Sequence, residues 1–269
     1  MHIRPSMLPN YLDCPRKAAG QQWREEFEAA GFELRQTFKS AGALIGTASH
    51  LGGAIMLTSK RDTGSYSLEQ ALPIAFDKFR EDFEKGVELD ETTTNRFVGE
   101  IQIEKMVKEL AFSFVPTIDP VLIEEKFAVD IGSGWEMEMH PDCYSSDFVI
   151  YDHKFGSQDD SYHSQLGAYS IGMRSHGHRV NDLVLNKIKR VGYKVPQPDM
   201  VQEHYDVRSC EKIAYELFSR IKADYERWDK TKDPSAFLPN NRSMNCSKKY
   251  CPLWGTDACE YGKKTKEDR

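Results

Sequence analysis

The sequence has no apolar run that approaches the roughly 20 residues needed to span a bilayer. Its first residues, MHIRPSMLPNYLDC, also lack the apolar stretch of a secretory signal peptide. The usual sequence signatures of membrane proteins and of secreted proteins are therefore both missing. We expect a cytoplasmic protein that has no membrane partner.

Two further absences narrow the function. No glycine-rich phosphate loop of either common type is present, which argues against a nucleotide-binding doubly wound fold. The chain also lacks a helicase motif, so any unwinding of nucleic acid would have to come from a partner protein. There is no internal repeat and no low-complexity tract.

The composition is that of a globular protein with a real core. The 269 residues are 39% hydrophobic and 29% charged, enough for one large domain or two small ones. The net charge of −6 argues against nucleic acid covering the whole surface, although a local basic groove remains compatible with it. Two basic clusters stand out, and each taken alone is equally an ordinary solvated surface: Lys187, Lys189, Arg190 and Lys194, and then Arg242, Lys248 and Lys249.

Apolar periodicity predicts a helical first part followed by an α/β part. A group of helices comes first, then a group of strands, and then a helix, two strands and a helix. Prolines at 116 and 120 mark the change from the first helices to the strands. The predicted helices are 11–28, 42–59, 68–85, 93–114, 161–175 and 210–229, and the predicted strands are 121–129, 135–139, 148–154, 181–188 and 201–207.

The stretch VIYDHKFG places an acid and a base at the end of a buried strand. Because side chains alternate along a strand, Asp152 and Lys154 share one face, and His153 offers only its backbone carbonyl there. If 135–142 is the neighbouring strand, the turn between the strands brings Asp142 beside Asp152. Two close carboxylates repel each other unless a cation such as Mg²⁺ or Mn²⁺ neutralises them. The plain alternative is an exposed Asp–Lys pair.

Three more polar residues have a functional and an ordinary interpretation. His50, in GTASH, lies on a helix rich in small residues, where it is either a packed core histidine or a metal ligand. Gln165 and Tyr169, in QLGAY, are four apart and share a helix face. That face is either an ordinary polar edge or a wall of the site formed by the preceding strand.

The order GTASH, PD, YDHK and QLGAY resembles the RecB-like branch of the PD-(D/E)XK nucleases. The resemblance covers roughly residues 40–190. It implies a restriction-endonuclease-like core, a central mixed sheet flanked by helices, with an N-terminal helical part and a Cys-rich C-terminal clasp.

The resemblance also implies roles for individual residues. His50, Asp142 and Asp152 match the positions of metal ligands, joined by the carbonyl of His153. Lys154 matches the catalytic lysine. Two residues match the positions that steady the site and meet the DNA strand, Gln165 and Tyr169. Glu124 resembles, more loosely, a glutamate often found in the preceding strand.

Six cysteines are present, and a cytosolic chain is not expected to hold stable disulfides. Cys246, Cys251 and Cys259 form a Cx₄Cx₇C group, and Cys14 lies far upstream. Four thiolates suit either Zn²⁺ or a [4Fe–4S] cluster, and the less favoured alternative is a set of reduced, unligated thiols. The remaining two, Cys143 and Cys210, are expected to be ordinary buried thiols.

The cysteine pattern adds to the resemblance. AddB-type helicase-nucleases and CRISPR-associated RecB-like nucleases carry one upstream and three downstream cysteines around an iron–sulfur cluster. The resemblance therefore implies a [4Fe–4S] cluster, with zinc as the alternative, that joins the two chain ends. We expect a single nuclease domain, 1–269. Its parts are an N-terminal segment with the first cysteine (1–40), a helical part (41–117), the nuclease core (118–230), a cluster segment (231–262) and a tail (263–269).

The function expected from the resemblance is a metal-dependent DNA nuclease of bacterial, archaeal or phage origin. We expect an exonuclease acting on single-stranded DNA or DNA ends in recombination, repair, phage or CRISPR processing, with a helicase or CRISPR adaptation factor as partner. The alternatives are a site-specific endonuclease and a catalytically silent DNA-binding subunit. As a hypothesis, aromatic residues such as Tyr11, Trp23 and Tyr169 stack on bases, although core packing is favoured for Trp23.

Overall fold

The computed structural model describes residues 1–156 and 161–261. The predicted tail, 263–269, lies outside these residues. The chain begins with a short strand, β1 (His2–Ile3), and three short helices, α1 (Met7–Asp13), α2 (Pro15–Gln22) and α3 (Arg24–Ala29).

The prediction of one helix over 11–28 is therefore wrong. The helix breaks at Cys14, whose backbone is extended with φ −148° and ψ 96°. Pro15 follows directly, and a proline disfavours the helical conformation of the residue before it. The same proline is well placed as the first residue of α2, where its missing N–H has no helical partner to lose.

A layer of three long helices follows, α4 (Ala41–Thr63), α5 (Leu68–Glu84) and α6 (Arg96–Ser113), close to the predicted positions. Ser40 caps α4 by accepting a hydrogen bond from the N–H of Ala43. Small residues let α4 and α6 approach closely, because a Cβ on Gly53 would lie 2.7 Å from a methyl carbon of Leu110. The helical part predicted for this region is thus a closely packed layer.

Helix α4 is long and apolar enough to cross a membrane by length and composition, with a mean hydropathy of 1.2 over its best window. Half of that window is buried inside the fold. The buried side of α4 packs against α5, α6 and the central sheet, as the core helix of a globular domain does.

The central sheet has five strands in the order β2-β5-β6-β7-β8. Strands β6 and β7 are parallel and the other pairs are antiparallel, so the sheet is mixed. The predicted α/β class with a central mixed sheet flanked by helices is confirmed. Its strands are β2 (Pro120–Ile123), β5 (Cys143–Ser145), β6 (Val149–Gly156), β7 (Asp182–Lys189) and β8 (Val201–Tyr205).

A second sheet of three strands has the order β1-β4-β3, with β3 (Phe127–Gly132) and β4 (Trp135–Met139). Helix α7 (His163–Ser175) joins β6 to β7, and α8 (Val207–Thr231) packs along α7. One hydrophobic core lies between the central sheet and α4, α5 and α6. The other holds α7, α8, the small sheet and the N-terminal helices.

Two predictions about the strands are wrong. The predicted strand 121–129 is two strands, β2 and β3, in different sheets, and Glu124 between them has a left-handed φ of 49°. The predicted strand neighbour of β6, 135–142, is also split. Strand β4 joins the small sheet, Pro141 offers no N–H to continue it, and β5 pairs with β6 instead. The register Cys143 opposite Tyr151 still brings Asp142 to β6.

The contact between α7 and α8 gives a test of the fold. A Cβ on Gly167 would overlap the backbone carbonyl of Cys210 at the start of α8. We expect Gly167→Ala to lower the free energy of unfolding by about 2 kcal/mol, the usual cost of overpacking a rigid contact. Gly156→Ala is the control, because a Cβ there has no neighbour within 4 Å among residues 1–156 and 161–261. Urea denaturation measures both, and equal midpoints for Gly167→Ala and wild type would contradict this packing.

Candidate functional site

The four residues at the centre of the predicted site come together beside β6: His50, Asp142, Asp152 and Lys154. Nδ1 of His50, on α4, lies 3.4 Å from Oδ2 of Asp142, just before β5. Nζ of Lys154 lies 2.7 Å from Oδ2 of Asp152, both on β6. Asp152 is only 1% exposed, so the interpretation of this ion pair as an exposed surface pair is wrong.

The backbone of β6 links the two carboxylates. The N–H of His153 donates a hydrogen bond of 2.6 Å to Oδ2 of Asp142. The imidazole of His153 points to the other face of the sheet, where its Nδ1 lies 3.1 Å from Nδ2 of Asn186. Burial lowers the pKa of His153 to about 4, so this ring is neutral near pH 7. Coordination of a cation by the carbonyl of His153 stays a prediction.

Glu124 completes a group of potential metal ligands. One ligand atom each from His50, Glu124 and Asp142 lies within 4.8 Å of the other two. Oε2 of Glu124 also lies 2.9 Å from Nδ1 of His140. The match of Glu124 to the family's glutamate was only loose. Its place in the structure depends on the left-handed backbone directly after β2.

Gln165 connects the ion pair to helix α7. Its Nε2 donates to Oδ1 of Asp152 at 3.2 Å and to the hydroxyl of Tyr169 at 3.0 Å. Its Oε1 accepts from Nζ of Lys154 at 3.3 Å. Gln165 and Tyr169 are 4% and 5% exposed, so their contacts here are with groups of the site itself. Their contact with a substrate stays a prediction.

The two carboxyl groups have pKa values pushed in opposite directions. Burial raises the pKa of Asp152 to about 6, and the charge of Asp142 adds to this against the opposing charge of Lys154. Burial also acts on Asp142, but the charge and the hydrogen bond of His50 outweigh it and hold the pKa of Asp142 well below its usual range. Asp142 is therefore the fixed negative charge of the site, and Asp152 is its proton-sensitive member.

A cleft of about 670 Å³ opens beside this centre. It lies between the start of α4, the ends of β6 and β7, and the C-terminal cysteine segment. Three members of the first basic cluster line it, Lys187, Lys189 and Arg190, together with His50 and Lys154. The cluster predicted as either surface or groove therefore lies largely in a groove.

Aromatic side chains also line the cleft, but they are not the ones suggested by the sequence. Tyr11 is 2% exposed and belongs to the hydrophobic core, so its predicted stacking on bases is wrong. Trp23 is 3% exposed in the same core, and its expected core packing is confirmed. Tyr162 and Tyr250, which were not predicted from the sequence, line the cleft. Nζ of Lys154 lies 4.7 Å from the centroid of the Tyr162 ring.

One cysteine near the start of the sequence and three near its end line one small pocket: Cys14, Cys246, Cys251 and Cys259. Burial raises the pKa of the Cys251 thiol to about 12, and the other three thiols add to the shift. In the part of the chain that the structure describes, all six cysteines are free of disulfides. Cys143 and Cys210 are buried elsewhere in the hydrophobic cores, as expected for ordinary thiols.

Hydrogen bonds join the chain ends beside this pocket. Nδ2 of Asn240 donates to the backbone carbonyl of Asp13 at 2.8 Å, and Oγ of Ser243 donates to the carboxylate of Asp13 at 2.6 Å. The backbone N–H of Asn240 points at Sγ of Cys14, 3.4 Å away. The N-terminal helices and the C-terminal segment thus meet where the thiols converge.

No family model and no curated protein matches the chain. Among solved structures, a candidate exonuclease from Eubacterium rectale has a TM-score of 0.45 at 12% identity, over 72% of this chain and 73% of that one. An alkaline exonuclease from Laribacter hongkongensis has a TM-score of 0.32 at 10% identity, over 69% and 91%. SSO0001 has a TM-score of 0.32 at 10% identity, over 86% and 84%. Such TM-scores establish neither the family nor the activity of this chain.

The charge balance at Asp142 can be measured in the metal-free protein. Burial lowers the pKa of His50, but the charge and the hydrogen bond of Asp142 outweigh it and raise the pKa above its ordinary value. We expect Asp142→Asn to lower the pKa of His50 below its wild-type value, because the charge and the hydrogen bond that favour the protonated ring are then lost. NMR titration of the His50 imidazole measures this. Asp147→Asn, an exposed change in the turn between β5 and β6, is the control, and equal shifts in both variants would contradict the assignment.

Proposed function

We propose that the protein is a metal-dependent nuclease that hydrolyses phosphodiester bonds in DNA, with single strands or DNA ends as its substrates. One observation supports this most strongly. A buried carboxylate, Asp152, is ion-paired with Lys154 next to a second buried carboxylate, Asp142, and Lys154 itself lines a cleft that holds further basic residues.

The donor set fits a hard divalent cation such as Mg²⁺ or Mn²⁺. His50, Glu124 and Asp142 offer an imidazole and two carboxylates within one ion's reach of each other. Oδ2 of Asp152 is buried beside Nζ of Lys154, 2.7 Å away. These four residues would hold the ion, which when bound neutralises phosphate charge and activates water.

Lys154 is the group that would meet the scissile phosphate. Burial lowers the pKa of its amine, but the charges of Asp152 and Asp142 outweigh this and raise it, so the side chain stays cationic. A fixed positive charge at the cleft stabilises the negative charge that builds up on phosphorus during hydrolysis. Gln165 holds both Lys154 and Asp152 and so fixes the direction of this charge.

The cleft favours a nucleic-acid strand over a small phosphate ester. Beyond Lys154 the cleft is lined by Lys187 and Lys189 on β7 and by Arg190 just after it, with Lys187 ion-paired to Glu203 and Arg190 to Asp90. A groove that combines basic residues with aromatic side chains is the usual arrangement for binding single strands. A closed circular single strand separates the candidates, since an exonuclease needs an end and the alternative site-specific endonuclease does not.

We also propose that the four-cysteine pocket holds a [4Fe–4S] cluster that fastens the chain ends together. Four tetrahedral thiolates around one Zn²⁺, with bonds of 2.3 Å, lie roughly 3.8 Å apart. Within residues 1–156 and 161–261, the group of three potential ligand atoms found within 4.8 Å of one another is at His50, not among the thiols. The wider spacing of the thiols favours a larger cluster over a single zinc ion.

The catalytic proposal predicts a separation of cleavage from binding. We expect Lys154→Ala to lower the cleavage rate of an end-labelled single strand in Mn²⁺ by at least about a hundredfold, because it removes charge stabilisation at phosphorus. Binding of the same strand, measured by fluorescence anisotropy, should change little.

The matched control is Lys187→Ala, which removes the lysine paired in register with Lys154 on the neighbouring strand. Lys187 lines the cleft but is ion-paired to Glu203 at 2.8 Å, so its loss should raise KM and leave kcat close to wild type. Equal losses of binding and cleavage in Lys154→Ala would contradict its catalytic role. Strong binding by wild type without cleavage in any metal would favour the silent DNA-binding subunit.

The cluster proposal predicts a coloured protein. Purified without oxygen, the chain should be brown, with iron and acid-labile sulfide in equal amounts. Cys251→Ser should lose both, whereas Cys210→Ser, which changes a thiol outside the pocket, should keep them. Metal analysis and the visible spectrum measure this. A colourless protein that carries zinc would replace the iron–sulfur cluster with the zinc alternative.

A further inference from the structure

Three aromatic side chains line the cleft, and they differ in what already covers them. Phe155 is 8% exposed, and its ring lies edge-on to the ring of His50 at 4.9 Å. The ring of Tyr162 is covered by the amine of Lys154. Tyr250 is 41% exposed, the largest exposed fraction of the three. It is therefore the cleft aromatic with the most surface available to a substrate.

The backbone around Tyr250 is fixed from outside its own segment. Nη1 of Arg35 donates to the carbonyl of Lys248 at 3.0 Å, two residues before the tyrosine. The N–H of Arg35 donates to the carbonyl of Pro252 at 2.9 Å, two residues after it. The segment between Cys246 and Cys251 that carries Tyr250 is thus anchored to the chain on both sides of the ring.

One face of the Tyr250 ring already has a cationic neighbour. Nζ of Lys249 lies 5.3 Å from the ring centroid and 3.6 Å from Oε1 of Glu88. Glu88 follows α5 and pairs with Ser40 at the start of α4, a residue that lines the cleft. The cation therefore lies over one face of the ring, which is still 41% exposed.

We propose that Tyr250 is a substrate-positioning residue that stacks on one unpaired base of a DNA strand in the cleft; this inference rests on the proposed function. A tyrosine face accepts any base, because every base has a π-face, so the contact adds affinity without sequence preference. A duplex offers no such face, since its bases are already stacked on each other. Tyr250 therefore makes the cleft selective for single strands over intact duplex.

The chain offers a closely matched control. Tyr193 is 46% exposed and, like Tyr250, has an adjacent lysine near its ring, with Nζ of Lys194 5.4 Å from the ring centroid. It does not line the cleft. Tyr193→Ala therefore removes the same side chain, with similar exposure and the same kind of neighbour, from a surface to which the proposal assigns no role.

The first test measures binding by fluorescence anisotropy in EDTA, so that the strand stays intact. Tyr250→Ala should weaken binding of a short single strand about tenfold, the size expected for one lost stacking contact. Tyr250→Phe keeps the ring and should bind as wild type does. Tyr193→Ala should also bind as wild type, and a blunt duplex should bind wild type and Tyr250→Ala equally.

A second test separates stacking from a merely structural role. A single abasic site is moved along the strand, and binding to wild type and to Tyr250→Ala is compared at each position. At one position the missing base should weaken wild type about tenfold and leave Tyr250→Ala unchanged, because both changes remove the same contact. A tyrosine that only supported the fold would show the same abasic profile in both proteins.

The proposal is overturned if Tyr250→Ala binds single strands as wild type does, or if the abasic losses are the same in the two proteins at every position. Both tests measure binding alone. Failure of the proposed nuclease activity would appear instead as absence of cleavage by wild type in Mg²⁺ and Mn²⁺, with the stacking contact still present in the binding data.

Discussion

The arrangement of the site depends on the burial of two carboxylates close together. Neighbouring charges of the same sign inside a protein are costly unless cations or hydrogen bonds offset them. Here each carboxylate has its own partner: His50 and the N–H of His153 for Asp142, and Lys154 with Gln165 for Asp152. The partners come from α4, β6 and α7, so the site holds these three elements in a fixed relation.

The fold places these partners by simple rules of chain geometry. Strand alternation puts Asp152 and Lys154 on the face of the sheet that α7 covers, and turns the imidazole of His153 towards the helical layer. Gln165 and Tyr169 are four positions apart on the helix, so both side chains reach the same side of α7. Helix α4 packs against β6 and so places His50 beside Asp142. Lys187, Lys189 and Arg190, at the end of β7 and just beyond it, line the cleft together with Lys154.

Local signals in the sequence were enough to predict the three elements that carry the candidate site. The apolar run before Asp152 identified β6, and the small residues around His50 identified α4. The spacing of four positions between Gln165 and Tyr169 identified the inner face of α7. The α/β class followed from the order of helices and strands. Where one signal dominates a segment, as in these three, the expected element and the observed one agree to within a few residues.

What the sequence did not predict depends on contacts between distant segments. Whether β5 or β4 lies beside β6 is decided by which sheet each strand joins, and the alternating pattern of 135–139 suits both sheets. Glu124 reaches the site through a left-handed turn that its sequence does not signal. Tyr250 reaches the cleft because Arg35, more than two hundred residues away, anchors its segment. The four thiols were grouped by resemblance, and only the fold brings them around one pocket.

His50, Glu124, Asp142 and Asp152 are proposed to hold one divalent cation. We would titrate the purified protein with Mn²⁺ and follow the titration by electron paramagnetic resonance at pH 7. We expect a saturable Mn²⁺ site that is lost in Asp142→Asn and that weakens as the pH falls and His50 and Asp152 take up protons. Equal binding of Mn²⁺ by wild type and by Asp142→Asn would rule out this site.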